Sequence, residues 1–497
     1  MKTWTSIRGI VLLGVVLGLA LGGASAWAEQ RLVIGKTFLA ASADPAEGSA
    51  GWALTSHGVA EKLFSVDREG RVVGSLARSV ERAADGSWEL TLEPGRRFSD
   101  GTAVTAADVA AALSRTNERN PAARASVGRM TLQPLDDRKL RIRTERPTPV
   151  MAAVLAEWPF VVYRMVAERP LYTGPYVIAA LRAGDAIDLV PNPYHPGADQ
   201  RSPVTIRRFP DGQSMAVALE GREIDMAFNL PVETLPRLRS REGLTVKSFA
   251  VGYQYMMWFN TRRPGVSDVR VRQALGLAID RRELVQAVRA GEVATGAFPV
   301  GTPHALREML SSDVAEAARL LDQAGWVRGA DGKRAKDGQI LRLRLVAYPQ
   351  RPDLLILQPV IRARLTALGV EVQTRVAEQP SAVAASGDFD LLLWAQHTLP
   401  AGDPGFFLNA FFRSGAGNNY SGLSSTDVDR ALDRMADAQA PADRAAAATA
   451  AHRAVIEQAP VTFLITPVWH VGLGPRLSAY EPWGSDYHVI RADLAPR

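Results

Sequence analysis

The residues with most to offer a ligand lie between Trp394 and Tyr420, in the run WAQHTLPAGDPGFFLNAFFRSGAGNNY. Glycine- and asparagine-rich loops beside aromatic rings suit a pocket with apolar walls and a few polar points. Arg413 can offer a carboxylate two parallel hydrogen bonds from one guanidinium. His397 and His57 are imidazoles that could ligate a metal. Trp52 and Trp394, each close to a loop, offer flat amphipathic surface. This is binding chemistry. The chain contains no G-x-S-x-G, no H-E-x-x-H and no G-x-x-x-x-G-K-[ST]. Its seven histidines are dispersed, without metal-ligand spacing. The expectation is a protein that is not an enzyme, with no catalytic residue, no cofactor and no resident metal.

An alternation of strands and helices must position these side chains. Tyr253–Phe259 is apolar and aromatic enough for a buried strand, and Pro264 and Gly265 break the pattern after it. Asp268 can cap a helix whose apolar residues, Val271, Ala274, Leu275, Ala278 and Ile279, share one face. Asp280 starts another helix, with Glu283 placed as in a capping box and Gly291 as the stop. Upstream, Ala50–Leu63 reads as one helix, and Thr105 with Asp108 opens another. Downstream, helix 313–326, strand 341–348, helix 354–368 and strands 369–376 and 389–394 imply an α/β unit. Two last helices, 427–438 and 444–458, precede a strand from Val461.

At 497 residues the chain is too long for one core and suggests about three units. A hydrophobic fraction of 47% and a charged fraction of 22% are ordinary for a globular protein. The net charge of +6 is spread thinly, without the basic runs of a nucleic-acid binder. Lys2 and Arg8, the apolar Ile10–Leu21 and Ala26-Trp27-Ala28 form a secretion signal over 1–28, an uncleaved anchor being the competing reading. With no cysteine there is no disulfide and no acceptor for lipidation at the cleavage site. A free, exported, periplasmic protein is the expectation.

Six segments, in order, carry a resemblance: LEPGRRFSDGTAVTAADV at 92–109, Tyr172-Thr173-Gly174-Pro175-Tyr176, Asn192–Tyr194, SMAVALEGREID at 214–225, FNT with DVRVRQALGLAID at 259–280, and the strand after Ala459-Pro460. Together they resemble the periplasmic solute-binding proteins of ABC importers, family 5, the branch that carries peptides, nickel chelates and opines. The resemblance implies an α/β, two-lobed periplasmic binding protein fold of mixed sheets flanked by helices, with a ligand cleft between the lobes. Lobe I would take 29–250, with a subdomain inserted near 46–170; lobe II would take 251–460; residues 461–497 would return to lobe I.

It also implies that the segment after Trp394 lines the cleft. The family's Trp, Asp-Pro, Phe and polar loop match Trp394, Asp403-Pro404, Phe406/Phe407 and Arg413–Asn419. The ligand-binding set is therefore Trp52, His57, Trp394, His397, Asp403, Arg413, Asn418, Asn419 and Tyr420. Arg413 with Asn418 resembles the pair that grips carboxylates in opine-type binders. Peptide binders place an Asp three residues after the Trp; here that position is His397, and alignment on Asp403-Pro404 gives Pro400 instead. The later histidine of nickel binders is Ala416, which leaves His397 or His57 for direct ligation. The partners implied are a peptide or metal chelate and the transmembrane subunits of an ABC permease, with no nucleic acid, for a monomer. An exported chaperone, or a ligand-presenting partner of a sensor, would use the same fold.

Overall fold

Seven consecutive buried residues, Tyr253–Phe259, form the strand at the centre of the second half of the molecule. Covered on both faces, it reads as continuous apolar sequence and not as an alternation. The computed structural model describes residues 31–308 and 310–496; the secretion signal expected over 1–28 lies outside them. Tyr253–Phe259 pairs antiparallel with Leu391–His397 on one side and with Val461–Thr466 on the other. Arg342–Ala347 and Glu371–Val376 extend the sheet in parallel, and Glu292–Val293 closes its other edge.

The first half is built on a seven-stranded sheet. Its order is Tyr176–Arg182, Ala186–Pro191, Val204–Arg208, Leu32–Lys36, Met226–Phe228, Val468–Leu473 and Thr245–Ala250. Among the described residues the chain passes between the two sheets twice, at Val251–Gly252 and at Pro467. The return therefore falls after Val461–Thr466, which belongs to the second sheet, and not at 461 as expected. A four-stranded antiparallel sheet of Ala77–Arg82, Trp88–Leu92, Lys139–Thr144 and Met130–Pro134 has its own core under the helix Ala106–Arg119.

Several elements differ from their reading in sequence. The helix from Ala50 ends at Ser56, because Gly58 turns the chain at φ 69° and Glu61–Lys62 pairs as a strand with Val161–Val162. Asp280 caps Arg281–Val288 through the Arg282 N–H; Glu283 is engaged by Arg364, so no capping box forms. That helix closes at Arg289, which takes the left-handed conformation (φ 54°), two residues before Gly291. The strand after Phe389 runs on to His397, and the segment read as loop contains a wholly buried helix, Gly405–Phe412.

The capping box at Thr105 and Asp108 is complete, and Asp108 also pairs with Arg164 at 2.9 Å. Thr105→Ala should lower unfolding stability by about 1 kcal/mol in urea titration, and Asp108→Ala by more, since it removes an ion-pair partner as well. Equal effects would mean that the Arg164 pair contributes nothing.

Candidate functional site

The two halves meet on one carboxylate. Asp486 follows the last strand of the first sheet and has no exposed surface. Its Oδ2 accepts Arg351 Nη2 at 2.7 Å, and its Oδ1 accepts the Tyr253 hydroxyl at 2.6 Å and Trp52 Nε1 at 3.1 Å. Arg351 stands at the start of the helix Pro352–Ala367, and its guanidinium lies over the rings of Trp469, Tyr253 and Phe38. Beside it the Thr37 hydroxyl donates to the Gln350 carbonyl at 3.1 Å. Lys36 donates to Ser56 Oγ at 2.6 Å; burial lowers its ammonium to about 7, with Asp486 acting against that fall.

Next to this junction lies a crevice of about 440 Å³ with walls from both halves. The first half supplies Lys62 and Val66–Gly70, the crossing supplies Ala250–Gly252, the second half supplies Pro299, Thr302–His304, His397, Leu399, Pro400 and Gly402, and the tail supplies Trp483–Ser485, Tyr487 and His488. The crossing is held on both sides: Gly252 N–H donates to Gly484 O at 2.9 Å, and Gly252 O accepts Thr398 N–H at 3.2 Å. A Cβ on Gly252 would stand 2.5 Å from His397 Cε1, so the closeness of strand end and crossing requires glycine here. The volume is in the range of small-molecule sites.

The side chains expected to bind are divided by the structure. His397 lines the crevice, edge-on to Tyr487 at 5.3 Å, with Nδ1 unpartnered and its imidazole pushed down to about 4 by burial. Trp52 is tied to Asp486 and stacked on Phe38 at 4.4 Å. His57 is fully buried; its Nε2 accepts Ala40 N–H, and desolvation keeps it neutral. Trp394 donates to Gln396 at 3.2 Å and packs with Tyr348 and Tyr420. Asp403 is taken by Arg444 through two bonds of 2.7 and 2.8 Å and by Gly405 N–H. Arg413 binds Asp433 at 2.8 Å and Asn409 at 2.9 Å, which leaves Nη2 buried without a partner. Asn419 bridges Arg413 O and Leu423 O, Tyr420 packs on Trp258 and Trp394, and Asn418 carries only the turn, its carbonyl accepting Tyr420 N–H. Of the nine, only His397 belongs to the crevice wall.

Lys62, Arg68, Trp483, Tyr487 and His488 were not anticipated. The one signal was compositional: the tail 479–490, AYEPWGSDYHVI, is dense in aromatic and titratable residues. A second hollow of about 490 Å³ lies between the helices Val269–Leu277, Val314–Gln323 and Pro441–Gln458. Its two buried arginines are occupied by backbone carbonyls: Arg272 by Ala459, Gln458, Val266 and Ser267, and Arg281 by Phe463. Among the described residues no group of three or more His, Asp or Glu is placed to hold a metal, and no helix is long and apolar enough to cross a membrane.

Comparison with known proteins gives a consistent neighbourhood. The family described as bacterial extracellular solute-binding proteins, family 5 Middle, matches residues 71–419. The nickel-binding protein NikA of Staphylococcus aureus is 23% identical over 392 residues, 76% of this chain and 77% of its own. The oligopeptide-binding protein AppA of Bacillus subtilis is 26% identical over 346 residues, 65% of this chain and 61% of its own. The crystal structure of S. aureus NikA in complex with Ni(L-His)2 superimposes with a TM-score of 0.86 at 19% identity, covering 94% of this chain and all of that one. The architecture is thus the two-lobed one of these binding proteins.

Removing one partner from a buried ion pair strands the other charge. Asp486→Ala should therefore cost about 3–5 kcal/mol in urea unfolding; a loss below about 1 kcal/mol would show that Arg351 finds another partner. Acid should also weaken the fold. Burial lowers His57, His304, His397, His452, His470 and His488, four of them to about 3 or 4. The unfolded chain binds these protons near pH 6.5 and the folded chain does not, so stability is full above that pH and falls as pH drops toward 4. Asp353 and Glu157, whose carboxyls burial raises, act the other way but are outnumbered. The urea midpoint should be lower at pH 5 than at pH 7; an unchanged midpoint would contradict neutral burial of the imidazoles.

Proposed function

Because the chain belongs to the bacterial extracellular solute-binding proteins of family 5, we propose that it is the periplasmic, monomeric binding subunit of an ABC importer, taking a small polar solute into the crevice beside Asp486 and presenting it to the permease. The solute classes in view are a short peptide, a nickel or other metal chelate, and an opine-like carboxylate. Relatives named for nickel and for oligopeptides support that breadth. The observation that carries the reading is the crevice itself: both halves line it, and among the described residues the chain passes between them at two crossings.

The cycle needs no bond made or broken. A solute that touches both walls favours the closed arrangement by its differential affinity, and release follows when that difference is removed. Lys62 and Val66–Gly70 line the same crevice as Pro299, Thr302–His304 and His397, so a molecule that fills it contacts both halves.

A solute present at a hundredfold excess over its Kd should stabilise the protein by about 2.7 kcal/mol. It should also reduce the radius of gyration in small-angle scattering. Glutathione, a nickel–histidine complex and mixed tripeptides are the first solutes to test. If none raises the melting temperature or compacts the protein, and none co-purifies in native mass spectrometry, solute capture is excluded as the role.

A further inference from the structure

Lys62 is the one cation of the crevice wall with nothing to bind. Its residue is 4% exposed, yet its ammonium makes no hydrogen bond or ion pair among the described residues. Its neighbours are the ring of Tyr487, 5.7 Å away, and Glu157, which acts on it electrostatically without forming an ion pair. Transferring an ammonium out of water without a partner is among the costlier things a fold can do. Four other buried cations have counter-groups: Arg351 in Asp486, Arg334 in Asp322, and Arg272 and Arg281 in carbonyls.

Resting on the solute-binding reading above, we infer that Lys62 is the anchor for a carboxylate of the solute, and that the crevice selects carboxylate-bearing molecules over those recognised through a free ammonium. The other charges of the wall point the same way. Both acidic side chains there are engaged: Asp67 by Arg71 Nε at 2.8 Å and by two backbone N–H groups, Glu69 by Arg71 Nη2 at 3.1 Å. No wall carboxylate is free to receive a ligand ammonium. Glu157, which acts on Lys62 electrostatically, is itself buried, its carboxyl raised by desolvation, and it forms neither a hydrogen bond nor an ion pair with the lysine. The lysine is lowered only to about 8 by burial and remains largely cationic at neutral pH.

The rest of the wall fits a carboxylate with an unsaturated or apolar body. His397 adds a ring without a hydrogen bond, and Trp483 packs at a tilt against His488 at 4.7 Å with the Arg68 guanidinium on it at 4.6 Å. A single ammonium is a point charge that suits one carboxylate; it lacks the converging donors that a phosphate dianion needs.

The test is calorimetric titration of the secreted full-length protein with citrate, succinate, glutathione, the nickel complex of histidine, inorganic phosphate and alanyl-alaninamide. At least one carboxylate should bind, more tightly than phosphate or the cationic amide, and less tightly as salt is raised. Lys62→Met should weaken that carboxylate at least tenfold, Lys62→Arg much less. Without solute, Lys62→Met should melt at a higher temperature than wild type, because an unmatched buried charge has been removed; a purely structural lysine would give the opposite shift. Should Lys62→Met not fold, the salt dependence and Lys62→Arg decide. The inference fails if no carboxylate binds, if Lys62→Met binds it as well as wild type does, or if the amide binds best. Compaction by a neutral or cationic solute that persists in Lys62→Met would leave solute capture standing and remove the carboxylate assignment; no compaction by any solute would remove both.

Discussion

A carboxylate with no exposed surface must be matched or neutralised, and in this protein that requirement joins the two halves. Asp486 is satisfied by a guanidinium and a tyrosine hydroxyl from the second half and an indole from the helix Ala50–Ser56. None of these groups can be withdrawn without leaving an ion or a dipole unpaired in a poorly solvated place. Such a pair adds little net stability over an apolar replacement, but it is intolerant of displacement. It therefore fixes where the halves meet more than it strengthens the fold.

The same turn of chain carries both the junction and the crevice. Ser485 caps the short helical turn Asp486–His488, whose first residue serves Arg351 while Tyr487 and His488 line the crevice. Gly484 O holds the crossing at Gly252, and the Gly252 carbonyl in turn receives Thr398 N–H, next to His397. A change in the angle between the halves therefore has to pass through the backbone that shapes the binding wall. That is the coupling a closing binding protein requires, built from three hydrogen-bonded segments distant in sequence.

The fold was largely legible because its determinants are local. The buried run Tyr253–Phe259, the caps at Thr105 and Asp268, and the Pro- and Gly-marked turns all announce themselves in a few neighbouring residues. Misreadings came where a distant partner decided. The helix at Ala50 stops short because Glu61–Lys62 finds a strand partner in Val161–Val162, and Glu283 leaves its cap for Arg364. The crevice wall was legible in only one residue, His397, because it is assembled from segments as far apart in sequence as Lys62 and His488. Arg413 and Asp403 have the residue types of a ligand contact, yet each is already paired within its own half. Residue type gives what a side chain can do; only the packing shows whether it is still free to do it.

That distinction also separates the family signature from the site. Arg272 and Arg281, in the stretch DVRVRQALGLAIDRR, are buried guanidinium groups whose nitrogens bond carbonyls on the strand Val461–Thr466 and at the end of the helix Pro441–Gln458. They tie helix to strand, and any solute competing for them would have to unmake the fold. Lys62 has no such obligation. A scaffold places its charges where the chain itself supplies the counter-groups, and it can keep one unmatched only at a stability cost. A largely buried ammonium with neither hydrogen bond nor ion pair, beside a two-sided crevice, is where the missing partner arrives from outside.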